Sequence, residues 1–171
     1  ASTTAGMLPM IEEALKYAEL ESTESGRLHA QYAINMFYRD GDNKPAQTAL
    51  ERAISIAVSQ EDESLEMFAM GYKALMERYE LRFEESISSA DRVIQLSETA
   101  DDSESLFRAL GARGNSLMFL GMVNQAEPYL NEAIAVGNRI RSRIQYVRGL
   151  HSLARITIMQ GDWDKAKEFV I

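Results

Sequence analysis

Small and apolar positions recur along this chain on a 40-residue step without a gap. Gly41, Leu81, Gly121 and Gly161 fall in register, and two residues on come Asn43, Phe83, Val123 and Trp163. Five residues past the anchor stand Ala46, Ser86, Ala126 and Ala166, all small, and nine past it Leu50, Ala90, Leu130 and Val170. Ala53, Val93 and Ala133 follow, each succeeded by an isoleucine. Seven residues before the anchor come Ile34, Ala74, Gly114 and Ala154. Steps of four and then three trace one stripe of an α-helix. The two small columns let helix backbones approach closely, and the glycine-rich anchor suits a turn with positive φ after a helix C-terminus. Each unit therefore reads as helix, short turn, helix.

The pattern predicts a leading helix over Leu8–Glu21 and then four pairs. These are Ser25–Arg39 with Pro45–Ser59, Glu63–Glu80 with Phe83–Leu96, Asp102–Leu120 with Gln125–Arg139, and Ser142–Gln160 with a last helix from Trp163. Pro9, Pro45 and Pro128 are expected in first turns, where no intrahelical hydrogen bond is forfeited. No stretch alternates as a strand would. The expected fold is an all-α, right-handed superhelical solenoid of antiparallel helix pairs, about four repeats behind a leading helix. Residues 1–171 form one domain of units at about 24–60, 61–99, 100–140 and 141–171. Neither end has the polar cap of a terminal repeat, so the reading expects a piece of a longer solenoid, with "ASTTAG" a cloning remnant or a cut inside a larger protein.

"ALGARGNSLMFLGMVNQAEPYLNEAIAVGN" resembles a unit of the tetratricopeptide repeat (TPR) family through Leu110, Gly114, Leu117, Gly121, Val123, Ala126, Leu130 and Ala133. "LHSLARITIMQGDWDKAKEFV" is nearly as similar, and the resemblance runs from Gly26 to Ile171. The period departs from the usual length of about 34 residues. Lys73 and Arg113 also stand in a column usually held by leucine, and Glu77 where an aromatic is common. Armadillo and HEAT repeats have periods nearer this one but lack the glycine–alanine pattern. The long period looks like that of repeats in large bacterial regulators, where the array joins a nucleotide-binding switch domain to an output such as a LuxR-type DNA-binding domain or a nucleotide cyclase. The resemblance implies a non-catalytic interaction or sensing module, the regulatory segment of a larger bacterial signalling or transcriptional regulator. The alternative is a free-standing scaffold that takes a peptide or partner helix in its groove.

In this family the first helix of each pair lines the concave side. The implied inward columns are Leu28, Phe68, Arg108 and Arg148; Tyr32, Tyr72, Ala112 and Ser152; and Asn35, Leu75, Asn115 and Arg155, with His151 beside them. The candidate groove is accordingly Tyr32, Asn35, Tyr72, Arg108, Asn115, Arg148, His151 and Arg155. Asn35 and Asn115 match an asparagine position of the carboxylate clamp in chaperone-binding members, but Gln31 and Gly111 stand where its lysines would be. No acidic chaperone tail is expected as partner. The implied partners are a protein, a peptide or sister domains of the full-length chain.

Composition and charge narrow this further. The chain has no cysteine, which removes disulfides and thiolate metal sites. That is compatible with a reducing compartment, and a cytoplasmic location is expected. No apolar run reaches the roughly 20 residues that span a bilayer, so no membrane partner is expected. A net charge of −8 argues against direct nucleic-acid binding. Residues 1–106 hold 21 acidic and 9 basic side chains, whereas residues 107–171 hold 5 and 9. "NRIRSRIQYVRGLHSLAR" brings Arg139, Arg141, Arg143, Arg148 and Arg155 together without an acidic residue. Two readings of this basic patch stay open: pairing with acids of a neighbouring repeat or simple solvation, and an acidic or anionic ligand. Catalytic, metal and cofactor residues are not expected. His29 and His151 lack metal-ligand spacing, and "GARG" at Gly111–Gly114 reads as helix-packing glycine rather than a phosphate loop.

Overall fold

The computed structural model describes residues 4–39 and 43–169. Among these residues every element is helical: α1 Thr4–Leu15, α2 Thr23–Arg39, α3 Lys44–Ser59, α4 Glu63–Tyr79, α5 Phe83–Leu96, α6 Ser103–Phe119, α7 Val123–Arg139, α8 Arg143–Met159 and α9 Trp163–Glu168. Each helix packs on the next in sequence. The first helices of the pairs also touch one another, α2 on α4, α4 on α6 and α6 on α8, whereas α3, α5 and α7 make no such contacts. The first helices thus form a tight inner layer and the second helices splay outside, which curves the stack.

Small residues set how closely paired helices approach. Ala46, Ser86, Ala126 and Ala166 are all buried, as are Ala74, Gly114 and Ala154 opposite them. A Cβ on Gly114 would stand 2.6 Å from Leu130 Cδ2 and 3.3 Å from the Ala126 carbonyl oxygen. Ser86 is the polar member of its column. Its hydroxyl donates to the Ala74 carbonyl at 2.8 Å and accepts from Ser116 Oγ at 3.0 Å, so its burial leaves no unpaired group.

Five turns share one geometry, spaced by multiples of 20 residues, half the sequence period; the α5–α6 turn does not share it. Asp62, Arg82, Met122, Ser142 and Asp162 each donate their backbone N–H five residues back, to the carbonyls of Ala57, Glu77, Leu117, Gly137 and Thr157. The preceding residues, Glu61, Leu81, Gly121, Arg141 and Gly161, have φ between 54° and 81°. This is the Schellman arrangement. The anchor column marked three of these five turns, at Leu81, Gly121 and Gly161, and its Gly41 member lies outside the described residues, as does Val170 of the apolar column. A second 40-residue column appears at the starts of the first helices. Ser22, Asp62, Asp102 and Ser142 each accept the backbone N–H of the residue three places on, capping α2, α4, α6 and α8.

Two expectations need correction. The leading helix ends at Leu15, not Glu21. Its apolar stripe buries Leu8 and Ile11, but beyond Leu15 no core continues: Tyr17 is 82% exposed and Leu20 72%. Because that helix starts at Thr4, Pro9 is an interior residue rather than a first-turn one, and Pro128 is likewise the sixth residue of α7. Each leaves one carbonyl a turn earlier without its helical donor. Pro45 keeps the first-turn place.

The charged departures from the family pattern satisfy one another. Lys73 pairs with Glu77, which is only 2% exposed and also accepts from Ser89 Oγ at 2.7 Å. Arg113 pairs with Asp91 of α5 and lies over the Tyr129 ring, 4.4 Å from its centroid.

Leu81 is 71% exposed at φ 62°, so Leu81→Gly removes left-handed strain without losing packing. Chemical denaturation of this variant is expected to show a gain of about 1 kcal/mol, and that of Gly121→Ala a loss of similar size. Ala126→Leu is expected to overpack the α6–α7 contact and cost roughly 1–3 kcal/mol.

Candidate functional site

The inner layer encloses a cup of about 500 Å³ built from the concave faces of α2, α4, α6 and α8. Tyr72, Arg108, Asn115, Arg148, His151 and Arg155 all line it. Tyr32 and Asn35 do not. Tyr32 packs against the core of the first unit, and Asn35 is buried with its Nδ2 donating to the Gln31 carbonyl at 2.8 Å. Asn115 turns its amide to its own helix in the same way, donating to the Gly111 carbonyl at 2.7 Å, but it also reaches Ser152 Oγ at 3.2 Å across to α8. That bond joins two walls of the cup.

Three of the cup's arginines are held by aromatic rings rather than by carboxylates. The Arg108 guanidinium lies 3.9 Å from the Tyr72 centroid and 6.0 Å from that of Phe68, and donates to Ser105 Oγ at 3.3 Å. Arg108 Nη1 lies 3.4 Å from where a Cβ on Gly71 would stand, so the guanidinium passes over that residue's backbone. Arg78 sits 4.3 Å over Tyr79, and Arg155 4.9 Å over Phe119, whose other neighbour is the stacked Phe83 ring. Arg148 is exposed, and its side chain has no hydrogen bond, ion pair or ring contact among the described residues. None of Arg78, Arg108, Arg148 and Arg155 forms an ion pair among those residues, while Arg52, Arg82, Arg92 and Arg113 elsewhere all do. Pairing with acids of the adjoining repeat is therefore not what stabilises this patch. Stacking on a ring leaves the in-plane N–H edge of a guanidinium free to bind an anion.

Tyr38 of α2 and Arg148 of α8 both line the cup. Desolvation and then Tyr72 push the Tyr38 phenol above its ordinary range, with Tyr79 adding to the rise, while Arg148 and Arg108 pull it back. The lining includes one carboxylate, the exposed Glu104. Two lining groups, Arg78 Nε and Gln145 Oε1, are buried without a hydrogen-bond partner.

Sequence columns missed Tyr38, Arg78 and Tyr79. The signal was present: Phe68, Tyr72, Leu75 and Tyr79 follow steps of four, three and four along α4, so extending the inward columns one more turn would have reached the end of the helix. Gly111 also differs from expectation. Gly114 packs as the pattern implies, but a Cβ on Gly111 would meet nothing within 4 Å, and that residue opens into the cup.

No family model matches the sequence, and no curated protein matches it. Solved structures do match the fold. A Podosopora anserina protein assigned as a kinesin light chain, with nearly identical TPR-like repeats, superposes over 98% of this chain and 83% of its own, with TM-score 0.72 at 16% identity. A single-residue variant of that protein gives TM-score 0.74 over the same shares. A Pyrococcus horikoshii signal transduction ATPase with numerous domains (STAND), which carries a tetratricopeptide repeat sensor, covers 96% of this chain with TM-score 0.77 at 18% identity. This chain spans 26% of that protein. The fold is a TPR-like right-handed solenoid.

Gly111 and Gly114 share a helix but not an environment. Gly111→Ala is expected to raise stability by about 1 kcal/mol through helix propensity, and Gly114→Ala to lower it by roughly 1–3 kcal/mol through overpacking. Thermal and urea unfolding of the two variants checks the contrast.

Proposed function

We propose that this chain is a non-catalytic interaction or sensing module that captures an anionic partner group in its concave cup. The observation that carries this reading is the set of four arginines, Arg78, Arg108, Arg148 and Arg155, on one concave surface with no ion-pair partner among the described residues. Like charges held close repel, and an anion relieves that cost; arginine's planar fork suits carboxylate or phosphate. The surroundings favour binding over chemistry. Glu104 and His151, the carboxylate and the imidazole among the lining residues, share no hydrogen bond, so no base is oriented toward a nucleophile.

The regulatory setting belongs to the same proposal. The solenoid acts as the sensing segment of a larger bacterial signalling or transcriptional regulator, in which occupancy of the cup biases how the repeats meet a sister domain. The likeness to a STAND protein with a repeat sensor supports this reading through the fold.

Binding of short acidic peptides and of phosphate compounds to the whole chain, measured by calorimetry at low and moderate salt, tests the proposal. At least one of these anions is expected to bind, with affinity falling as salt rises. Arg148→Glu combined with Arg155→Glu is expected to lower it about tenfold or more, and because both side chains are exposed the variant should keep its helicity. Binding that ignores salt and the double substitution, or no binding at any salt, contradicts the reading.

A further inference from the structure

The cup's shape and its aromatic lining narrow the kind of anion. Resting on the proposal that the cup binds anions, we infer that its ligand is a compact molecule joining a flat heteroaromatic ring to phosphate groups, the class of the nucleotides, rather than an extended acidic peptide.

Three observations carry this. The first is shape. Tyr38 of α2 and Arg148 of α8 line the same cup, so the first and last inner helices contribute to one concave site. An extended peptide needs an open channel, since each residue adds about 3.3 Å. A cup of about 500 Å³ instead falls in the range of small-molecule sites.

The second is Gly111. A glycine in a helix interior costs about 1 kcal/mol relative to alanine, and most helical glycines here offset it by letting a neighbour approach. Gly26, Gly114 and Gly149 each leave room for a side chain that a Cβ would meet within 2.6 Å. Gly111 has no such neighbour and makes no positive-φ turn. What its missing side chain provides is depth in the floor of the cup.

The third is the pairing of flat surfaces with fixed cations. Arg108 is held in place by the Tyr72 ring and Ser105 Oγ. Its N–H edge is a pre-set phosphate donor, with Arg148 facing it from α8. Tyr38 presents an exposed ring in the same cup lining as both arginines. A ring resting on Tyr38 places an attached phosphate chain within reach of Arg108 and Arg148. Carboxylates spaced along a peptide would use the cations but leave Tyr38 and the Gly111 floor without a role.

The test measures binding of three probes to the intact chain at one ionic strength in the presence of a chelator: ATP, inorganic pyrophosphate and a hexaglutamate peptide. ATP is expected to bind about tenfold more tightly than pyrophosphate, and the peptide more weakly than either. Tyr38→Ala should bring ATP down to the pyrophosphate value and leave pyrophosphate unchanged, whereas Arg108→Gln should weaken both. Gly111→Leu should abolish ATP binding while the melting temperature holds or rises, because the added side chain enters open space. A peptide that binds at least as tightly as ATP overturns the nucleotide inference and leaves the anion-binding reading standing. ATP binding that survives Tyr38→Ala or Gly111→Leu undiminished overturns the placement in the cup and the inference with it. If none of the three probes binds, both readings fall.

Discussion

The contact of helix backbone against helix backbone, at positions where the side chain is one carbon or none, is the constraint on which the rest depends. Gly114 lies against Leu130 and the Ala126 carbonyl with no space for a Cβ. The same seam is made by Ala74 with Ser86, and there the polar member is satisfied by a hydrogen bond rather than removed. Such seams fix the distance within a pair. The inner helices then touch one another and the outer ones do not, so curvature follows from packing, and a concave surface follows from curvature. A larger side chain at these seams would change both the stability and the shape of the cup.

That concave surface treats its charges differently from the rest of the molecule. Several arginines elsewhere meet acids: Arg92 with Glu66 at 2.6 Å, Arg82 with Glu80 at 3.2 Å, Arg113 with Asp91. Inside the cup, Arg108, Arg78 and Arg155 rest on Tyr72, Tyr79 and Phe119 instead. A ring holds a cation in place without neutralising it, since the attraction comes from the ring quadrupole and leaves the full charge available. An acid in the same place would have fixed the side chain and cancelled the site.

Much of this was legible in the sequence because period and side-chain size are one-dimensional signals. The 40-residue columns gave the helix pairs, the Ala126 and Ala166 seams and the inward columns of Arg108 and Arg148. The leading helix was overextended because Tyr17 and Leu20 continue an apolar pattern that has no neighbour to bury it. The half-period of the turns was hidden because Glu61 and Arg141 adopt a conformation that glycine advertises and they do not. Asn35 and Asn115 share a column but not a role, because only Asn115 faces a later unit with a hydroxyl in reach. The rings under the arginines, the convergence of Tyr38 with Arg148 and the open space over Gly111 depend on curvature. Curvature is a sum over all the seams, and no single column carries it.

The central claim is that the cup presents uncompensated guanidiniums to an anion, and anomalous diffraction from crystals soaked in tungstate locates such an anion directly. The account predicts a tungsten peak inside the cup, within hydrogen-bonding distance of the Arg108 and Arg148 guanidiniums. An empty cup in crystals that hold tungstate at other sites, or arginines turned away to pair with carboxylates, would contradict it.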